Sequence, residues 1–322
     1  MHLEAAPFLS EHAFGPGGGA AYWLRTADGI RIRVGYWPVA QAKGTVLLFP
    51  GRTEYIEKYG KTAATLAQSG YASIAIDWRG QGLADRLLKD PRVGHVDAFS
   101  DYQTDLAAVM QAVQALDVPR PFHLLGHSMG GAIGLRAILN GLDVASCAFT
   151  GPMWSIVMSP ALRPVAWALF HAGLWIRQGH RLAPSTHPQS YVVRNAFDGN
   201  ALTTDADSFE LMRQQLQAEP GFALGGPSMT WLGEALRECR DLARRPSPAI
   251  PCTTFAGSGE SIVEISAMRA RMERWPGGTF HLLPNARHEV LMERPETRAR
   301  VFSGVVALFD QAATPHATAK SG

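Results

Sequence analysis

Phe122-His123-Leu124-Leu125-Gly126-His127-Ser128-Met129-Gly130-Gly131 joins a short apolar run to a helix-like segment across a serine flanked by glycines. The run Phe122–Leu125 has the length and composition of a strand covered on both faces, and Met129–Asn140 reads as a helix. In that context a G-x-S-x-G pattern predicts a sharp turn with unfavourable dihedrals that lifts the serine above the sheet. Gly126 and Gly130 are small enough to leave room for such a turn. The same turn sets Ser128 at a helix N-terminus, where unpaired N–H groups favour developing negative charge. A glycine-rich turn with a merely structural serine is the bland alternative. Strand, helix and doubled glycine together favour Ser128 as a nucleophile.

Outward from this turn, the chain alternates. Ala20–Arg25 and Ile30–Trp37 flank Ala27-Asp28-Gly29, a hairpin signal. Thr45–Phe49 and Ala72–Ile76 read as buried strands, with a helix over Tyr55–Gln68 between them. Asp101–Leu116 carries apolar residues at helical spacing, with Ser100 as its expected N-cap. Cys147–Thr150 is a further strand, after which the alternation stops. It resumes with strand Cys252–Ala256, helix Ile262–Arg274, strand Thr279–Leu283 and a last helix Pro295–Gln311. This pattern predicts an α/β fold: a mostly parallel sheet with helices on both faces and one inserted helical cap. The expected division is core 1–151, cap 152–245, core 246–312 and a flexible tail 313–322.

A serine nucleophile needs a base, oriented in turn by an acid. In chain order Ser–acid–His, the base falls in the loop after the last strand. His288 stands there, behind Pro284-Asn285-Ala286-Arg287. His281 lies inside the strand, where it packs or faces solvent, and His127 is expected to point away from the base position. The acid should follow Cys252–Ala256, where Gly257-Ser258-Gly259-Glu260-Ser261-Ile262-Val263-Glu264 offers two glutamates and no aspartate. Glu260 is the favoured acid; Glu264, a turn further on, is the alternative and suits an exposed salt bridge.

Composition narrows the rest. The 322 residues are 46% apolar and 18% charged, enough for one large core. A net charge of +2 and the absence of basic runs interleaved with aromatics argue against a nucleic-acid partner. Cys147, Cys239 and Cys252 are scattered, without metal-ligand spacing, and read as buried side chains in a reducing compartment. Neither a metal nor an organic cofactor is expected. No secretory signal opens the sequence, and the apolar stretch Met153–Ile176 is interrupted by Pro160, Arg163, Pro164 and His171, which argues against a spanning helix. The expected location is cytoplasmic, with transient membrane contact through Trp167–Ile176 as a further expectation.

These motifs resemble the α/β-hydrolases of the monoacylglycerol lipase and lysophospholipase group over nearly the whole chain, from about Trp23 to Phe309. Gly126–Gly131 is similar to that group's elbow, and Asp77-Trp78-Arg79-Gly80-Gln81-Gly82 to its D-x-R-G-x-G turn. Gly257-Ser258-Gly259-Glu260 with Val263 looks like its G-x-x-D-x-x-V loop, with glutamate where aspartate is usual. Pro50-Gly51-Arg52-Thr53-Glu54-Tyr55 occupies the place of the H-G-x-x-E-H loop, with Pro50 where histidine is usual. The longer run Pro50-Gly51-Arg52-Thr53-Glu54-Tyr55-Ile56-Glu57-Lys58-Tyr59, with Ala286-Arg287-His288-Glu289-Val290-Leu291-Met292-Glu293, looks most like the bacterial lysophospholipase L2-type proteins. The resemblance implies an oxyanion hole from the main-chain N–H groups of Arg52 and Met129. It also implies supporting roles for Gly51, Glu54, Gly126, His127 and Gly130. The implied activity is hydrolysis of a lipid monoester through an acyl-enzyme. Acyl transfer, a general small-ester carboxylesterase and a non-catalytic binding protein remain as alternatives. Ser128 in place of an aspartate argues against dehalogenation or epoxide opening. Substrate choice should reside in the cap, whose apolar side chains either line an acyl tunnel or fill the cap's own core.

Overall fold

The buried runs read from the sequence become the centre of one twisted sheet in the computed structural model, which describes residues 3–159, 161, 164, 168, 170, 175 and 177–313. The strands are β1 (Glu4–Ala5), β2 (Ala20–Arg25), β3 (Arg31–Trp37), β4 (Gly44–Phe49), β5 (Tyr71–Asp77), β6 (Phe122–His127), β7 (Ser146–Thr150), β8 (Cys252–Gly257) and β9 (Thr279–Leu283). Their spatial order is β1-β2-β3-β5-β4-β6-β7-β8-β9. The hairpin β2–β3 and its neighbour β1 form the antiparallel side, and β5 through β9 run parallel. The expected turn closes the hairpin, with Gly29 at φ +87° and its N–H donating to Thr26 O.

Alternate side chains of each parallel strand enter opposite layers, as a two-residue period requires. Val46, Leu48, Leu125 and Ala148 face one layer, filled by the helices α2 (Gly60–Gln68) and α9 (Pro295–Ala313). Leu47, Phe49, Leu124 and Phe149 face the other, filled by α3 (Asp101–Ala115), α4 (Met129–Leu139), α7 (Met229–Arg244) and α8 (Ile265–Met272). The short helices α1 (Ser10–Ala13) and α5 (Tyr191–Arg194) and the longer α6 (Ala206–Ala218) lie outside these layers. Covering both faces explains why the central strands read as unbroken apolar runs. Among the described residues Cys147, Cys239 and Cys252 are buried and form no disulfide.

Several local expectations shift. Ser100 does not cap α3 with its side chain; the carboxylate of Asp101 turns back instead and accepts from Ala98 N at 3.2 Å. The helix expected over Tyr55–Gln68 opens as a 3-10 turn, Ile56–Tyr59, because buried Asp77 holds Ile56 N at 2.8 Å. The helix expected from Ile262 begins at Ile265, since the N–H groups of Ile262 and Val263 are taken by the Glu260 side chain.

Between β7 and β8 the described residues add no strand to the sheet. Within this segment α7 packs Trp231, Ala235, Cys239 and Leu242 into the main core. By contrast α6 builds a separate apolar cluster, where Phe209, Met212 and Leu216 meet Tyr55, Phe222 and Met292. The stretch Trp167–Ile176 falls mostly outside the described residues, as does the tail beyond 313. Among the described residues, no helix is long and apolar enough to cross a membrane.

Candidate active site

The carboxyl ends of β4, β6, β7 and β8 come level in the sheet register, with Phe49 opposite Gly126, His127 opposite Thr150 and Thr150 opposite Phe255. Loops leaving these ends therefore meet at one place, where open α/β sheets bind ligands. Ser128 stands there between β6 and α4 with φ +49° and ψ −117°, a conformation costing roughly 1–3 kcal/mol. The turn is held by its backbone. Ser128 N donates to Thr150 O at 3.1 Å, while Ser128 O accepts from Gly131 N at 2.9 Å and Met153 N at 2.8 Å. A Cβ on Gly130 would lie 1.9 Å from Phe49 O, and one on Gly126 would lie 3.0 Å from Gly130 O. Both glycines are thus fixed by close backbone approach. Met129 opens α4, so its N–H has no intrahelical acceptor.

His288 follows β9 as expected and is buried, with its Nδ1 2.6 Å from Glu260 Oε2. Burial pushes the Glu260 carboxyl up. Hydrogen bonding and charge from His288 and the N–H groups of Ile262 and Val263 outweigh this, holding it below the usual range. Its other oxygen accepts from Ile262 N at 2.7 Å and Val263 N at 3.3 Å, which fixes the carboxylate plane. Gly151 leaves space for the pair: a Cβ there would sit 3.2 Å from His288 Nδ1 and 3.3 Å from Glu260 Oε2. Glu264 lies elsewhere, at the start of α8, accepting from Ser155 Oγ at 3.0 Å. Among the described residues no hydrogen bond joins Ser128 to His288, although both line the same cavity. Such contacts often tighten only when substrate arrives. His281 stacks on Phe255 at 4.9 Å, away from the site.

The third loop, Gly51–Tyr55, leaves β4 and lies against the serine; a Cβ on Gly51 would stand 3.1 Å from Ser128 Cβ. Glu54 folds back to accept from Gly51 N, and Tyr59 Oη donates to the same carboxylate at 2.7 Å. Gln81, from the Asp77–Gly82 turn, donates to Gly51 O at 2.7 Å and to Glu54 O at 3.2 Å. Trp78 Nε1 donates to Pro50 O at 3.1 Å. The turn noted in the sequence as a motif thus props the loop beside the serine.

His127 departs from expectation. Its ring does not point away from the base but lies 4.8 Å, centroid to centroid, from that of His288. Nδ1 donates to Thr150 O at 2.9 Å, which leaves Nε2 facing Glu289 Oε2 at 3.3 Å. Lys58 completes a buried quartet, its ammonium bound to Glu54 and, at 2.6 Å, to Glu289. Burial pushes Lys58 down, yet the two carboxylates outweigh it and hold the ammonium above its usual value. Burial likewise lowers His127, and Glu289 and Glu54 more than restore it. Burial raises Glu289, while Lys58 and His127 bring it well below the ordinary carboxylate range. Glu54, His127 and Glu289 could by spacing hold a cation, and the Lys58 ammonium supplies one. The quartet ties the loop of Arg52 to the loop of His288, since Glu289 is the next residue. Lys58, Glu289 and Gln81 were missed in the sequence. The signals that could have found them were the D-x-R-G-x-G turn, which contains Gln81, and the repeated pairing of charges within Glu54–Lys58 and His288–Glu289.

Ser128, His288 and the loop at Arg52 open into a cavity of about 440 Å³, a size suited to a small organic ligand. Its apolar wall includes Met153, Ile156, Leu202, Met212, Leu224 and Trp231. Met212 and Leu216 therefore serve both the lining and the α6 cluster.

A family model described as Hydrolase_4, serine aminopeptidase S33, matches residues 40–295. The chain belongs to this family. Its α/β-hydrolase fold is shared with a soluble variant of the monoglyceride lipase of Saccharomyces cerevisiae, solved with a substrate analog. That match has TM-score 0.71 and 20% identity over 90% of this chain and 95% of that one. The monoacylglycerol lipase of Paleococcus ferrophilus superposes with TM-score 0.66 at 18% identity, over 87% of this chain and 99% of that one. In sequence, the chain is 28% identical over 301 residues to lysophospholipase L2 of Escherichia coli K12, covering 89% of this chain and 86% of that protein.

Proposed function

We propose that this family member is a carboxylic ester hydrolase that cleaves lipid monoesters, a lysophospholipid or a monoacylglycerol, through an acyl-enzyme on Ser128. One observation carries the reading. A serine in a strained strand-to-helix turn shares an apolar-walled cavity with a histidine whose far nitrogen is held 2.6 Å from a buried carboxylate. The likeness to lysophospholipase L2 over 89% of this chain and 86% of that protein supports the substrate class.

In this reading Ser128 Oγ attacks the ester carbonyl carbon as His288 Nε2 removes its proton. The carbonyl oxygen becomes an oxyanion facing the main-chain N–H groups of Arg52 and Met129; one such donor is typically worth about 3 kcal/mol in the transition state. Glu260 stays ionised and stabilises the imidazolium, which then protonates the departing glycerol oxygen. Water, deprotonated by the same histidine, attacks the acyl-enzyme and frees the fatty acid. The acyl chain lies along the apolar wall. The cap proposed over 152–245 then functions mainly through its part before Ser228, because α7 belongs to the main core.

Ser128→Ala tests this. We expect loss of p-nitrophenyl ester and monoacylglycerol turnover with an unchanged circular dichroism spectrum. Retained turnover would move the nucleophile elsewhere.

A further inference from the structure

The cavity holds a guanidinium that the fold does not neutralise. The buried arginines Arg33 and Arg79 are matched: Arg33 meets Asp77 and Glu57 at 2.7 Å, and Arg79 meets Asp105 at 2.8 Å. Arg271 lacks an acid but spends its donors on Leu242 O, Arg245 O and Ser247 Oγ at the end of α7. Arg52 is half-buried and differs from these; Arg86, also half-buried, likewise meets no acid among the described residues and donates to Gly221 O, but it does not line the cavity. Among the described residues Arg52 makes one side-chain hydrogen bond, Nη1 to Gly225 O at 2.7 Å, and lies 5.5 Å from the Trp231 ring centroid. That leaves most of its five N–H donors unused. Residues 160–176, which fall only partly within the described set, contain no Asp or Glu in sequence. The acids that line the cavity, Glu54 and Glu289, are engaged by Lys58 and His127. Burial lowers the Arg52 guanidinium to about 10, so it keeps its charge at neutral pH.

Position adds to charge. Arg52 follows Gly51, which touches Ser128, and its guanidinium reaches the opposite wall beside Gly94, where a Cβ would stand 3.0 Å from Nη1. The side chain thus spans from the reacting serine to the wall of Gly225 and Trp231. A lysophospholipid has the same layout, with an anion one glycerol away from the ester carbonyl.

We propose that Arg52 is a specificity-determining residue that binds the phosphodiester monoanion of a lysophospholipid headgroup while Ser128 attacks its acyl ester. This rests on the ester-hydrolase reading above. A neutral monoacylglycerol would leave the guanidinium without an anion; a phosphodiester gives it a forked, charge-assisted contact.

The test uses the full chain with 1-acyl lysophosphatidylglycerol and 1-monoacylglycerol of equal chain length, below their micelle concentrations. In Arg52→Met, kcat/KM for the phospholipid relative to the neutral ester should fall about tenfold or more. Arg52→Lys should restore part of it. Any disturbance of the main-chain donor at position 52 affects both esters and cancels in the ratio. An unchanged ratio overturns the proposal and leaves the guanidinium a latch to Gly225. Arg52→Gln replaces the methionine variant if that one does not fold. Should the wild-type protein cleave neither ester, the hydrolase reading fails, and calorimetry with the non-cleavable 1-O-alkyl ether analogues still decides. Arg52→Met should then weaken the phosphodiester analogue about tenfold more than the alkylglycerol. Equal weakening, or tighter binding of the free fatty acid anion than of the phosphodiester, contradicts the assignment.

Discussion

The two walls beside Ser128 are fixed by opposite means. The turn at Gly126–Gly131 is held by shape: backbone approaches within van der Waals contact and permits only glycine at position 130. The loop Gly51–Tyr55 is held by charge, through Glu54 and a buried lysine shared with Glu289. The shape of the turn is announced by a local run of glycines around Ser128, although what it packs against includes the distant Phe49 O, whereas the charge network reaches across 231 positions from Lys58 to Glu289 with no local pattern to announce it. The first kind of site should fail by not folding, and the second by losing alignment.

The largest effect should come from Gly130→Ala. Its Cβ would meet main-chain Phe49 O at 1.9 Å, and backbone cannot swing aside as a side chain can. We expect little folded protein, read by soluble yield and thermal melting; a normal melt would break the shape account.

Next in size is the acid. Glu260→Gln should lower kcat by roughly 10³–10⁴, with the melting temperature much less affected, because the imidazolium loses its counter-charge. Glu264→Gln should change kcat less than about threefold, since it bonds Ser155 instead. The reverse order in steady-state kinetics would transfer the role to Glu264.

Lys58→Met probes the charged wall. Two buried carboxylates would lose their ammonium, a change that typically costs about 3–5 kcal/mol. Chemical denaturation should show that loss, and kcat should fall more than KM rises because the loops of Arg52 and His288 lose their tie. Adding Glu289→Gln to Lys58→Met should recover part of the stability. A double variant no better than the single one would argue that the quartet does not act as a unit.

The smallest effect is a pH dependence. The folded values of Glu260 and Glu289 lie below their usual 4.5, so each contributes stability that is present above pH 4.5 and lost as pH falls through the depressed value. His127 acts in the opposite sense: its folded value is raised above 6.5, so its contribution is present below 6.5 and fades as pH rises through the raised value. Melting temperature should therefore fall with acid below 4.5, less steeply in Glu289→Gln than in the wild-type chain. Equal slopes would contradict the depressed carboxylate.

What the sequence made legible follows the same division. The β6–Ser128–α4 turn, the parallel sheet and His288 were readable because each depends on local pattern and chain order. For the acid the sequence left two candidates, and they differ in the structure: Glu260 lies 2.6 Å from His288, whereas Glu264 bonds Ser155. Lys58, Gln81 and the ring of His127 were not readable. Their partners come from different loops, and a charged residue in a helix looks solvated until its neighbours are placed. The start of α8 falls later than the pattern predicts for a related reason: the Glu260 carboxylate takes the N–H groups of Ile262 and Val263 that would otherwise begin the helix.

The most direct test of the central claim is covalent. The protein should react with a fluorophosphonate to give a single adduct, and peptide mapping by mass spectrometry should place it on Ser128, with no adduct in Ser128→Ala. A phosphonyl group on any other serine, or labelling that survives in Ser128→Ala, would contradict the account.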